Sequence, residues 1–272
     1  MTASLRSLAT RGGVALAIAA LAFLLGLPLV AMVLDASPSM LFDRVRDPQV
    51  LGALRLSIMT STAATGLVIV IGLPAAYVLA TRRFPGKRAF EVLIQLPMVL
   101  PPTVAGFALL LAFGRAGLAG GVLEVFGLTL PFSTLGVVVA QAFMAAPFFV
   151  APARAGIAAV DTRYRDAAAT LRASEGYTFV HVTLPLALPS LAAGTAMAWA
   201  RALGEFGATI TFAGNLPDVT RTMPLAVYIA LQQDPEVAVV MSLLLIAVAI
   251  ALLAAFPFAT IATTPRPPRA AG

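Results

Sequence analysis

The chain has 272 residues, 60% of them hydrophobic and only 11% charged, with a mean hydropathy of +0.95. A water-soluble domain is closer to half apolar and a quarter charged, so this composition excludes a soluble enzyme and a disordered chain. Cysteine is absent, which excludes a disulfide scaffold, a zinc–thiolate site and an iron–sulfur cluster. A single histidine, His181, leaves little room for metal or acid–base chemistry. The net charge of +6 reads, in a chain this apolar, as cationic loops beside a membrane rather than a nucleic-acid surface. An all-α, polytopic membrane protein remains.

A helix needs about 20 mostly apolar residues to cross a bilayer. Charge-free windows supply six spans in chain order. The first covers residues 12–34, the second 56–81 and the third 92–114. The fourth lies in 125–153, with Pro131 moving the expected helix start to Ser133. The fifth is expected to begin near Leu184 and run on through Arg201 and Glu205 to about Ala213, with Gly204 and Gly207 permitting close helix approach or local unwinding. The sixth lies in 237–265 and ends near Thr260. The windows are too long, and alternation is missing, for barrel strands. The basic start of the first window also suits a cleaved leader, but its apolar run exceeds the 7–15 residues of such segments. A retained helix is therefore expected.

Lys and Arg concentrate in cytoplasmic loops, and that bias sets orientation. With the N-terminus inside, twelve cations face the cytoplasm: Arg6, Arg11, Arg82, Arg83, Lys87, Arg88, Arg154, Arg163, Arg165, Arg172, Arg266 and Arg269. Only Arg44, Arg46, Arg115 and Arg221 fall outside, whereas Asp35, Asp43, Asp47, Glu124, Asp218, Asp234 and Glu236 are all outside. Both termini are accordingly expected in the cytoplasm.

The longest inside loop, residues 154–183, contains Asp166, Ala167, Ala168 and Ala169, followed by Val182, Thr183, Leu184 and Pro185. On a helix Tyr164, Ala167, Ala168 and Leu171 share one face. An alanine-rich face makes a small flat knob suited to a partner's groove. An interfacial helix on lipid headgroups is the alternative, for which larger apolar residues would be expected. This segment resembles the EAA loop of ABC importer permeases, whose coupling helix inserts into a cytoplasmic ATPase subunit. Asp166 stands where that family has Glu, and Arg172 where it has Gly. With that glycine missing, the helix is expected to run on to Gly176.

Two further segments carry chemistry. Pro97, Pro101 and Pro102 remove three backbone donors within the third window and break its helix, beside Thr103 and Gly106. Broken helices at membrane depth survive where protein or water satisfies the backbone, and they often line transport pathways. In the fifth span, Arg201 and Glu205 are four residues apart and able to pair, with Gly204, Phe206, Gly207, Thr209 and Thr211 around them. Intramembrane charges are costly and face the bundle interior, as a helix lock or as the wall of a pathway.

The run from Gly204 to Thr209, continued by Phe212, Ala213, Gly214, Asn215, Leu216, Pro217, Thr220, Arg221, Thr222 and Pro224, resembles the permeases for molybdate and the related tungstate and sulfate oxyanions. That family usually has Gly where Asp218 stands. The resemblance implies the ABC importer permease fold and a bacterial inner-membrane location. Its partners would be a second copy of the chain, two ATPase subunits and a periplasmic oxyanion-binding protein. ATP would be held by the ATPases, since the chain lacks a Gly-x-x-x-x-Gly-Lys-[Ser/Thr] loop, leaving the permease with no cofactor of its own. Pro101, Pro102, Thr103, Gly106, Arg201, Gly204, Glu205, Phe206, Gly207, Thr209 and Thr211 would line or gate the pathway. Asn215, Pro217, Thr220, Arg221, Thr222 and Pro224 would dock the binding protein or close the outer gate. Residues 1–46 would form an extra helix and outside loop, 47–262 the permease domain and 263–272 a cytoplasmic tail. An ion-coupled transporter using Glu205 as its proton site, and a membrane enzyme, are the other classes these residues admit.

Overall fold

The computed structural model describes residues 2–36 and 44–261, and among these it is helical without strands. The expected tail at 263–272, with Arg266 and Arg269, and Asp43 lie outside the described residues. Helix α1 (Thr2–Asp35) contains the first span, whose apolar window has no buried residue. Helix α2 (Pro48–Thr81) is capped by Asp47, whose carboxylate accepts the Gln49 amide at 2.8 Å, and has Pro48 at its first position. It begins well before the expected residue 56. Arg55 does not end the span but sits exposed on its flank, where a long side chain can carry its charge toward an interface.

The third span is two helices, α3 (Lys87–Val99) and α4 (Pro102–Phe113), bent by 120° at Leu100 and Pro101. Short α5 (Gly120–Val125) follows, then α6 (Thr134–Ala158), whose Ser133 cap accepts the Gly136 amide at 3.1 Å. At the far end come α7 (Thr162–Thr170), α8 (Glu175–Thr178) and a π-turn at Phe179–Thr183. Helix α9 (Leu184–Leu203) returns through the bundle. It does not reach Ala213, as the sequence suggested. The chain breaks at 204–206, and α10 (Gly207–Ala213) is separate. Helix α11 (Met223–Gln233), hidden in the sequence, packs beside α12 (Pro235–Ile261), the last span.

Point contacts fix the helix directions. Trp199 donates to Thr62 Oγ1 at 3.1 Å, and Tyr77 meets Phe179 edge-on, so α9 and its lead-in run antiparallel to α2. Gly156 meets Ser190, and Gly194 meets Phe149 and Pro152, so α9 also runs antiparallel to α6. Helices α2 and α6 therefore run the same way, and the chain must recross the bundle between them. The bent pair α3–α4 is that crossing, which makes six spans with α1, α2, α6, α9 and α12.

The main core joins α2, α6 and α9 through Ala64, Ala76, Ala145, Ala153, Ala198 and Ala202, with Phe149 and Ile157 filling between them. Small residues suit a membrane bundle, where lipid is as apolar as the helices and close packing supplies the attraction. Gly72 is one such point, since a Cβ there would stand 2.9 Å from a Val150 methyl.

Candidate functional site

Two helix breaks meet one another. At the first, Gly204 ends α9, with its amide on Ala200 O at 3.1 Å. Glu205 then turns back so that Oε1 accepts the Ala208 amide at 2.8 Å, capping α10 with a carboxylate where a helix dipole favours one. Its Oε2 lies 2.5 Å from Arg201 Nη1, an ion pair lying off the hydrogen-bond line. The glutamate side chain is 1% exposed and the arginine 24%. The expected pair thus forms across a helix end rather than along one helix. The second break is the α3–α4 bend. It sits on the first: a Cβ on Gly207 would come 2.7 Å from Pro102 Cβ, and one on Gly106 would come 2.7 Å from Ala208 O and Thr211 Cβ. Only residues without a side chain permit this approach. Ala105, Leu109, Met144, Ala208 and Phe212 pack behind it.

The proposed lining residues divide by exposure. Pro101, Pro102, Thr103 and Gly204 are exposed, and Arg201 stands at the edge. Gly106, Glu205, Gly207 and Thr209 are buried, and Thr209 Oγ1 has no hydrogen-bond partner. Thr211 donates to Gly207 O at 2.9 Å, and Phe206 packs against Tyr228 with ring centroids 5.1 Å apart.

The segment from Asn215 to Pro224 is a pinned loop. Arg221 Nε donates to Asn215 Oδ1 at 2.9 Å, and Thr220 Oγ1 accepts the Leu216 amide at 2.8 Å. Thr134 Oγ1 donates to Val219 O at 2.9 Å, and the Met223 amide donates to Ser57 Oγ at 2.6 Å, tying the loop to α6 and α2. Pro217 is exposed, Pro224 half-buried, and Thr222 is buried with an unpartnered hydroxyl. Asp218 is left-handed at φ 59°, which accounts for the glycine usual there.

At the other end of the bundle, α7 stands clear of the core with no buried residue. Asp161 caps it, accepting the Arg163 amide at 2.9 Å and its Nε at 2.8 Å, and this guanidinium holds the carboxyl below its ordinary range. Tyr164 is 56% and Leu171 83% exposed; Asp166, Ala167 and Arg172 are exposed and Ala168 half-buried. The helix does not continue to Gly176. Arg172 itself takes φ 59°, its amide on Ala169 O at 2.9 Å and the Ala173 amide on Ala168 O at 3.0 Å, so it closes the helix in the left-handed turn that glycine usually makes. Gly176 lies inside α8 instead. An ion pair of 2.5 Å between Arg82 and Glu175 ties this region to the end of α2, and a recess of about 310 Å³ lies between Thr81 and Asp166.

Sequence reasoning missed the polar residues buried on α2: Ser57, Thr60, Ser61 and Thr65. Their spacing of three, one and four residues marks one helix face and was available as a signal. It also missed Gln141, fully buried on α6 with no partner for either polar atom. Among the described residues no group of three or more His, Asp or Glu is placed to hold a metal.

A family described as "Binding-protein-dependent transport system inner membrane component" matches residues 68–263. The chain belongs to this family. It is a multi-pass membrane component of a transport system and not an enzyme. Among its relatives, the molybdenum transport system permease protein ModB of Mycobacterium tuberculosis is 45% identical over 233 residues, covering 86% of this chain and 88% of the relative. ModB of Escherichia coli K12 is 41% identical over 202 residues, covering 74% and 88%. Two solved structures share the fold of these transport components. A bacterial ABC transporter that imports alginate has a TM-score of 0.74 at 13% identity, covering 91% of this chain and 93% of that one. The methionine ABC transporter MetNI, in inward-facing form, has a TM-score of 0.64 at 16% identity, covering 84% and 100%.

Proposed function

We propose that the chain is the permease subunit of an ATP-driven importer that carries molybdate across the bacterial inner membrane into the cytoplasm. The observation that carries this reading is the 45% identity to a molybdenum permease over 86% of the chain. Two copies would form the pathway, with an ATPase subunit beneath each and a periplasmic binding protein above. Both termini would lie in the cytoplasm, as the distribution of Lys and Arg favours.

The geometry suggests how such a machine runs. Helix α7 presents Tyr164, Ala167, Ala168 and Leu171 to the ATPase. ATP-driven closure of the ATPases moves α7, and the Arg82–Glu175 pair passes that movement to α2. The packed unit of α2, α6 and α9 then carries it to the two interlocked breaks. The breaks separate or close as the two copies rock, and Thr103, Gly204 and Arg201 meet the anion. The pinned loop of Asn215 to Pro224 receives the binding protein on the other face. No tight anion site is needed, because the binding protein supplies affinity and tight binding would slow release.

The test is uptake of labelled molybdate by the complete complex in proteoliposomes, with unlabelled molybdate, tungstate and sulfate as competitors. Competition by molybdate well ahead of sulfate is expected. Preferential competition by sulfate would reassign the cargo, and uptake that persists with an inactive ATPase would overturn the ATP-driven reading in favour of an ion-coupled carrier.

A further inference from the structure

A groove of about 420 Å³ runs between α2, α3, α4 and α6, and every residue lining it is apolar, among them Ile71, Ala75, Phe90, Ile94, Phe143 and Ala146. It lies apart from α7 and from the Arg201–Glu205 pair, and meets the packing around the breaks through Pro97 and Leu109. Phe90, Ile94 and Pro97 line it from α3, so its Phe90 end abuts the segment Arg83 to Arg88. The charges there are uneven. Glu91 is taken by Arg154 at 2.6 Å and Glu175 by Arg82 at 2.5 Å. Arg83 and Arg88 are exposed and have no ion-pair partner among the described residues, and Lys87 donates only to Arg82 O at 3.1 Å. A wholly apolar trough ending in unpaired cations is complementary to one kind of molecule, a chain of methylenes ending in a negative charge.

We propose that this groove is a binding site for an anionic phospholipid, with an acyl chain between α3 and α6 and its phosphate at Arg83 and Arg88. Basic clusters beside clefts between membrane helices recognise anionic headgroups in this manner. The lipid fills the seam between the first arm of the bent pair and the bundle, so it supports the arm that carries Pro101 and Pro102 to the break.

The test is native mass spectrometry of the assembled transporter released from vesicles of equal phosphatidylglycerol and phosphatidylethanolamine. Wild type is expected to retain phosphatidylglycerol preferentially. Arg83→Gln and Arg88→Gln should each cut that preference about fivefold, the usual worth of one cation near an anionic lipid. Ala146→Leu and Ala75→Leu, which each fill part of the groove, should lower retention of both lipids. Unchanged retention in the filled variants, or unchanged preference in the arginine variants, overturns the site. Displacement of the lipid by inorganic phosphate overturns it too, by making the cations a free-anion site. So does a cross-link from the groove to a second copy of the chain. A second measurement needs no filled variant: in Phe90→Trp, phosphatidylglycerol with brominated acyl chains should quench the added indole more than brominated phosphatidylethanolamine, and equal quenching counts against the proposal.

Discussion

Arg172 and Asp218 share one backbone conformation, each left-handed with φ of 59°. They lie at opposite ends of the bundle, one closing α7 and the other turning the loop pinned to α2 and α6. For an L-residue this conformation costs about 1–2 kcal/mol, less for Asp, whose short side chain tolerates it. Arg172→Gly should therefore steady the end of α7 by about 1 kcal/mol, slowing hydrogen exchange at the Arg172 and Ala173 amides about fivefold. Arg172→Ala should give no such gain, and equal protection in both variants would show that the turn stores no strain. Asp218→Gly should act in the same direction with a smaller effect.

Glu205 holds both a helix end and a cation while buried. Removing one partner of a fully buried pair leaves an uncompensated charge and costs about 3–5 kcal/mol, and less here because the Arg201 side chain is 24% exposed. Glu205→Gln keeps an acceptor for Ala208 but strands Arg201, so the permease should unfold at markedly lower temperature and uptake should fail. Arg201→Met combined with Glu205→Gln should recover part of that stability. A double variant as unstable as the sum of the two singles would mean the groups act independently.

The contact of Gly207 with Pro102 leaves no room for a methyl group. Gly207→Ala must push α4 away from α10, an overpacking that costs about 1–3 kcal/mol. Uptake is expected to fall while ATPase docking persists. Wild-type uptake would show that the two breaks need no close contact.

On α7, Tyr164→Ala and Leu171→Ala remove exposed apolar surface and should leave the permease's own stability unchanged. Co-purification of the ATPase should weaken, and Ala168→Trp should leave ATP hydrolysis uncoupled from uptake. Full coupling in all three variants would remove α7 from the docking surface.

The cap of α7 titrates. Arg163 depresses the Asp161 carboxyl, so the contribution of the charged cap is complete above the ordinary carboxylate value and is lost as pH falls through the lowered folded value. Protection of the α7 amides should stay flat from neutral pH down to about 4 and drop only below it. Asp161→Asn caps without titrating and should abolish the drop; a decline beginning near neutrality would assign it to another group.

Elements set by local chemistry were legible in the sequence. Ser133 begins α6 through its own side chain, and Leu184 opens α9 where Pro185 is tolerated. Features set by tertiary contact were not. Arg55 looked like a boundary because charge marks span ends, yet it rides on the flank of α2. The spacing of Arg201 and Glu205 is the spacing of a helix; Gly204 and Gly207 signal close approach or local unwinding, but not that Glu205 caps the helix that follows. Arg172 hid the end of α7, since the left-handed turn is enforced by the hydrogen bonds of Arg172 and Ala173 rather than by residue type. Helix α11 is too short to have been seen as a span.

Under the proposed function, the carboxylate that caps α10 would also decide how an anion experiences the break. The amide end of that helix already faces a negative charge, and the nearby guanidinium is already neutralised by the same group. The chain thus carries its own counter-ion, and a dianion taking the proposed path would find neither a bare helix end nor an idle arginine to hold it. Such a surface would offer passage without residence, and throughput would not be limited by the permeant's own dissociation.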